Sequence, residues 1–183
     1  MDKRTKKILK ELEKSRKVFW NISANTGLFL NLFIKHKKYK TILEIGSSNA
    51  YSGIWIADAI KKNKGKLYSI ESNKKDRYPA AVKNIKKAGL SSQVKLILGH
   101  APEDIPQEPK IFDMAFFDAT KHEHLSYFNS LKKRIKKGGC VITDNIISHE
   151  KQLEQYIKKL QSTPGWKSYK INIGTGLLIS MKL

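Results

Sequence analysis

The apolar run Ile111 to Phe117 stops at Asp118, and Lys121 follows three positions later. A strand with so few polar breaks is covered on both faces. That points to a parallel sheet between helix layers rather than an antiparallel sheet with one wet face. A second such unit lies upstream, where Ile42-Leu43-Glu44-Ile45 leads into Gly46-Ser47-Ser48-Asn49-Ala50 and then Tyr51-Ser52. It reads as a strand, a small-residue turn and a helix. A third run, Cys140 to Thr143, ends in Asp144-Asn145. Ligands of open parallel sheets bind at the carboxyl ends of the strands, and all of these polar residues fall there.

The rest of the chain fits the same plan. Periodicity predicts strands at Thr41–Ile45, Lys66–Glu71, Val94–Leu98, Ile111–Phe117 and Cys140–Thr143. Between and after them it predicts helices at Ser52–Lys62, Pro79–Ala88, His124–Ile135 and Leu153–Leu160. Strands alternating with helices give an α/β fold. Ser168–Ile173 and Leu177–Met181 flank Gly174-Thr175-Gly176, which predicts a closing hairpin with an antiparallel strand at or near one edge. A basic helix over 3–17 and a second over Gly27–Lys37, capped by Asn25 or Thr26, precede the sheet. No repeat or linker divides the chain. The expectation is one domain over 1–183, with an N-terminal helical segment over 1–38 and an α/β core over 39–183.

The net charge is +20, and lysines cluster over 35–40, 61–66 and 132–137. Such a balance suits a polyanion such as RNA; the competing reading is a compositional background. Few aromatics lie among these lysines, so base stacking is not expected. No apolar run reaches the ~18 residues of a membrane span. Met1 to Lys17 is charged from its start, unlike a secretory leader. The single cysteine, Cys140, sits in an apolar strand and reads as a buried thiol. Together these features predict a cytoplasmic protein with no membrane partner.

The strand ends carry the chemistry. Gly46, Ser47 and Ser48 let a ligand approach the backbone, and the next helix offers free N–H groups together with the Ser52 hydroxyl. Glu71 ends the second strand, where an acid accepts hydrogen bonds from ribose hydroxyls. Asp118, Asp144 and Asn145 form an oxygen-only set suited to Mg²⁺; the plainer reading of Asp144-Asn145 is a turn. Lys121 beside such a cation, with its pKa depressed, becomes a base for a substrate hydroxyl. His122 and His124 lack a third partner and are not expected to bind metal.

With these motifs the chain resembles the cation-dependent class I O-methyltransferases that use S-adenosylmethionine, the catechol and caffeoyl-CoA O-methyltransferase group. The motifs are Leu43-Glu44-Ile45-Gly46 through Tyr51-Ser52, Gly99-His100-Ala101, Phe117-Asp118-Ala119-Thr120-Lys121, Asp144-Asn145 and Ile173-Gly174-Thr175-Gly176-Leu177. The resemblance implies a Rossmann-like fold: a mainly parallel seven-stranded sheet, one antiparallel strand from the C-terminal hairpin, and helices on both faces. It implies a cofactor site of Glu44, Gly46, Ser48, Tyr51 and Ser52 around the methionine part, Glu71 on the ribose, and His100 and Ala101 beside the adenine. It implies Mg²⁺ on Asp118, Asp144 and Asn145, with Lys121 and Asp118 as catalytic residues.

The chain also departs from that pattern. His100 stands where the family often has an acid, Thr120 replaces a usual acid, and His124 replaces a usual aromatic. The stretch after Asn145 is short, which leaves the acceptor site open to a large substrate. The activity so implied is O-methylation of a hydroxylated base in tRNA or other RNA, or of a small catechol-like phenol. A binding protein that keeps the fold without activity is the remaining alternative. The family is often dimeric, so a homodimer is a further expectation.

Overall fold

The computed structural model describes all residues, Met1–Leu183. Its helices are α1 (Lys3–Glu13), α2 (Arg16–Phe19), α3 (Ala24–Lys37), α4 (Tyr51–Lys61), α5 (Arg77–Ala88), α6 (His124–Leu131) and α7 (Glu150–Ser162). The strands are β1 (Thr41–Ile45), β2 (Lys66–Glu71), β3 (Val94–Leu98), β4 (Phe112–Phe117), β5 (Ile135–Thr143), β6 (Trp166–Ile171) and β7 (Leu177–Lys182). They form one seven-stranded sheet in the order β3-β2-β1-β4-β5-β7-β6. β1 to β5 are mutually parallel, and β7 runs against both of its neighbours. The fold is the Rossmann-like one that the resemblance implies, on the α/β plan that the strand pattern predicts.

Both faces of the central strands are apolar, and successive side chains go to opposite faces. Ile42, Met114, Phe116, Ile142 and Ile179 meet Leu30 and Ile34 of α3, Ile54 of α4 and Ile85 of α5. Leu43, Ile45, Ala115, Phe117, Val141 and Leu178 meet Phe128 and Leu131 of α6 and Leu153 of α7. Ile8 and Leu9 of α1 belong to the first cluster, so the N-terminal helices share the core of the sheet. No helix is long and apolar enough to cross a membrane.

The structure corrects several boundaries. The expected helix over 3–17 breaks after Glu13, because the Leu12 carbonyl is taken by the Ser15 hydroxyl at 3.0 Å and the Asn21 amide at 3.1 Å. α3 begins at Ala24, capped by Ser23 rather than Asn25 or Thr26; Ser23 Oγ accepts the Thr26 N–H at 3.0 Å. The largest difference lies at the end of the helix expected over His124–Ile135 and in the Gly138-Gly139 stretch that follows. α6 ends at Leu131, and β5 already pairs at Ile135 with Phe112. The pairing then slips, and Cys140 faces Met114. The glycines sit inside a bulge, a place where strands tolerate them. Cys140 is fully buried, as expected, and burial pushes its thiol up to about 12.

One carboxylate lies inside this frame. Glu44 of β1 is fully buried opposite Ser69 of β2. The hydroxyls of Ser52 and Ser69 each donate to it at 2.5 Å, tying α4 and β2 to β1. Burial outweighs these bonds and pushes the carboxyl up to about 7. In the unfolded chain it titrates near 4.5. Folding therefore takes up a proton between these values, and this contribution to stability is full at low pH and lost as pH rises through about 7. Replacement of Glu44 by Gln is expected to flatten the fall in urea midpoint between pH 5 and 8; an unchanged slope contradicts this.

The turn after β1 depends on Gly46, which has φ of +99°. A Cβ at this position runs into the backbone carbonyl of Asp118 and lies 3.2 Å from Ala119 Cβ. Gly46→Ala is expected to destabilise the chain by about 1–3 kcal/mol, measured as a lower midpoint in urea.

Candidate functional site

A cavity of about 770 Å³ opens at the carboxyl ends of β1, β2, β4 and β5, within the usual size range for small-ligand sites. The β1–α4 turn forms its floor, and Gly46, Ser48, Tyr51 and Ser52 all line it. Glu71 ends β2 beside this turn, only 5% exposed. Its Oε2 accepts the Ser48 N–H at 2.7 Å and its Oε1 accepts the Asn73 N–H at 2.9 Å. Each carboxylate oxygen keeps a lone pair for a further donor. Ala101 lines the cavity from the loop after β3.

Two expected cofactor residues stand differently. Glu44 does not line the cavity but lies behind its wall, because Ser52 and Ser69 hold it beneath the turn. His100 does line the cavity, yet its Nε2 lies 3.1 Å from Glu123 Oε1, so its ring is engaged across the rim. Glu123 in turn accepts the Tyr127 hydroxyl. The Tyr51 hydroxyl is likewise occupied, donating to Glu13 Oε1 of α1 at 2.9 Å.

The opposite wall holds the oxygen-rich group. The parallel ladder carries on past the strands: Asp118 N–H donates to Ile45 O at 3.0 Å, and Asp144 N–H to Phe117 O at 3.1 Å. Asp118, Asp144, Asn145 and Lys121 all line the cavity. Lys121 Nζ lies 3.1 Å from Asp118 Oδ1. The Thr175 hydroxyl donates to Asp144 Oδ1 at 2.8 Å. Burial raises both carboxyls above the usual range, and the charge of Asp144 adds to the effect on Asp118, against the opposing pull of Lys121. A buried carboxylate, Asp144, and a partly exposed one, Asp118, line one cavity with the Asn145 amide, and together they have the charge and donor chemistry that fit a hard divalent cation.

No group of three or more His, Cys, Asp and Glu side chains gathers to hold a metal anywhere in the chain. His122 is exposed. His124 is buried and serves the scaffold: its ring packs edge-on to Phe117 and Tyr156, and its Nδ1 is 2.9 Å from Thr120 O. Burial pushes it down to about 4.

The sequence did not reveal a third wall, built by the N-terminal segment. Arg16, Lys17, Phe19, Trp20, Asn21 and Ile22 line the cavity. The segment is tied to the cofactor turn by the Ser48 hydroxyl, which donates to Phe19 O at 2.7 Å. Trp20 stands at the mouth with Arg77 of α5 over its ring, 4.6 Å from the centroid. This aromatic lies beside Arg16, Lys17 and Arg77, cations outside the lysine clusters over 35–40, 61–66 and 132–137. Thr175 is the other omission; the hairpin motif marked its turn but not its bond to Asp144. The short loop after Asn145 bounds the mouth through Ser148 and His149.

Comparison with known proteins agrees with this architecture. The family model described as O-methyltransferase matches residues 2–177. A catechol O-methyltransferase of Niastella koreensis is 37% identical over 139 residues, 74% of this chain and 62% of that protein. Caffeoyl-CoA O-methyltransferase 1 of Zea mays is 34% identical over 149 residues, 76% of this chain and 57% of its own length. The chain thus spans less than two thirds of these relatives. The structure of an O-methyltransferase from Bacillus cereus in complex with SAH superposes with a TM-score of 0.87 at 22% identity, over 100% of this chain and 92% of that one. That of TomG from Streptomyces achromogenes, in complex with SAM, gives 0.84 at 24% identity, over 100% and 90%. With its family model matched over nearly its whole length, this chain belongs to the O-methyltransferase family that includes the catechol and caffeoyl-CoA enzymes.

Proposed function

We propose that this chain is an enzyme that moves a methyl group from S-adenosylmethionine to a hydroxyl of its acceptor, with Mg²⁺ held by Asp118, Asp144 and Asn145. The observation that carries this is the meeting, in one cavity, of the Glu71-braced turn with the carboxylates of Asp118 and Asp144, an amide and Lys121. The printed names of the structural neighbours, complexes with SAH and SAM, support the cofactor. Bound at the carboxylates, the cation supplies positive charge that lowers the pKa of an acceptor hydroxyl.

The chain's own residues divide the remaining work. Glu71 accepts hydrogen bonds from the ribose, while Gly46, Ser48, Tyr51 and Ser52 enclose the methionine part. His100 and Ala101 border the adenine. In its neutral form Lys121 accepts the proton of the acceptor hydroxyl on its amine nitrogen; as the ammonium paired with Asp118 it has no lone pair to do so. The acceptor oxygen then gives an electron pair to the methyl carbon as the carbon–sulfur bond breaks, and sulfur keeps that pair. Such a transfer gains its rate chiefly from positioning.

Two acceptors fit. A hydroxylated base in tRNA or other RNA is supported by the net charge of +20 and by the cations Arg16, Lys17 and Arg77 lining the cavity. A small catechol-like phenol is supported by the names of the relatives. The deciding assay offers labelled S-adenosylmethionine with total RNA and with a panel of catechols, each with Mg²⁺ and with chelator. Label entering RNA only with Mg²⁺ establishes the first reading, and label confined to phenols establishes the second. No transfer under any condition leaves a binding protein without activity.

Asp118→Ala is expected to lower transfer by at least ~100-fold and to leave affinity for S-adenosylhomocysteine nearly unchanged in calorimetry. Full activity of this variant in chelator excludes the metal assignment. Glu71→Ala is expected to weaken that affinity by roughly ten-fold or more, the loss of charge-assisted hydrogen bonds. Unchanged calorimetric affinity removes Glu71 from the ribose.

A further inference from the structure

Trp20 combines features that packing alone does not explain. The indole is 73% exposed, although tryptophan is on average a well-buried residue. Its backbone is left-handed, with φ of 54°, a region that bulky side chains rarely enter. The strain is held from both sides: Asn21 N–H donates to Arg16 O at 3.1 Å, and Phe19 O accepts the Ser48 hydroxyl. The segment is therefore fixed so that a large flat ring faces outward at the mouth of the cavity.

Arg77 comes from a different part of the chain and lies 4.6 Å from the centroid of that ring. A guanidinium over one face leaves the other open, given the exposure of the indole. Exposed cations neighbour both residues in the chain. Lys14, Arg16 and Lys17 are exposed on the N-terminal segment, and Lys74 and Lys75 are exposed in the loop that leads to Arg77. Val18, 72% exposed, extends the apolar surface beside Trp20. An open aromatic face set among unpaired cations matches one ligand chemistry: planar bases carried on an anionic backbone. A small neutral phenol needs the ring but not the cations around it.

We propose that Trp20 and Arg77 form a platform on which an unpaired base of single-stranded RNA stacks next to the reaction cavity, while Lys14, Lys17, Lys74 and Lys75 neutralise its phosphates. This rests on the RNA reading of the acceptor and adds to it the means by which RNA is gripped. The platform selects unstacked bases, so the substrate is a loop or an end rather than a continuous duplex.

The test measures fluorescence anisotropy of a short labelled single-stranded RNA of mixed sequence, and of the same sequence as a duplex, across a salt series without cofactor. Wild-type protein is expected to prefer the single strand. Trp20→Ala is expected to weaken binding to it roughly ten-fold without changing the slope of log Kd against log salt, and Trp20→Phe is expected to retain most of the affinity. Lys74→Gln, at one of the phosphate-neutralising lysines, is expected to weaken binding and to lower that slope by up to about 0.7, the share of one phosphate contact on a single strand. Urea midpoints of the variants confirm that each is folded.

Equal binding of Trp20→Ala and wild type overturns the platform while leaving the RNA reading in place. Absence of salt-dependent RNA binding by the wild type overturns both. Because no cofactor is present, neither outcome bears on methyl transfer, which the labelled-methyl assay reads separately.

Discussion

The register of three parallel strands governs this molecule. Ile45 of β1 lies beside Phe117 of β4, and Phe117 beside Thr143 of β5. The three strands therefore end level, and the next residues, Gly46, Asp118 and Asp144, meet at one place. The backbone bonds Asp118 N–H to Ile45 O and Asp144 N–H to Phe117 O carry the ladder one step past the apolar part. A one-residue slip exchanges the faces of every side chain. It would turn Phe116 and Phe117 to the wrong helices, so packing of the core fixes where the two carboxylates stand. Gly46 completes the arrangement, since the Asp118 carbonyl occupies the space that a side chain would need.

Charge is sorted by depth. The buried acids each have partners: two serine hydroxyls at Glu44, Asn31 and Lys35 at Asp58, two backbone N–H groups at Glu71 and Thr175 at Asp144, while the partly exposed Asp118 pairs with Lys121. The excess of cations lies largely outside them, on helix ends and loops. A positive exterior draws anions toward the molecule, whereas the acidic pair within the cavity suits a cation. These two fields do not compete, because one acts at the mouth and the other within the cavity.

The N-terminal segment joins these regions. α1 packs through Ile8 and Leu9 into the core shared with α4, and Glu13 accepts the hydroxyl of Tyr51. The chain then breaks at Ser15 and bends back over the cofactor turn, where Ser48 holds Phe19. A continuous helix over 3–17 would leave this wall unbuilt. The break comes from Asn21 and Ser15 competing for the Leu12 carbonyl, a detail that hydrophobic spacing does not register.

The sequence by itself determined the sheet, its connections and the polar residues at its strand ends. Continuous apolar runs and small-residue turns are local properties, and strands alternating with helices in the chain lead to parallel strands. It likewise placed Asp118, Lys121, Asp144 and Asn145 at strand ends, because an acid that follows an apolar strand has no core to enter. Only the tertiary structure decided what depends on residues far apart in the chain. Glu44 reads like a member of the cofactor turn, yet cross-strand contact with Ser69 puts it behind the wall. The ring of His100 is drawn to Glu123, Thr175 returns to Asp144, and Trp20 meets Arg77. Each of these pairings is set by how helices and loops pack above the sheet, and no local periodicity in the chain encodes that packing.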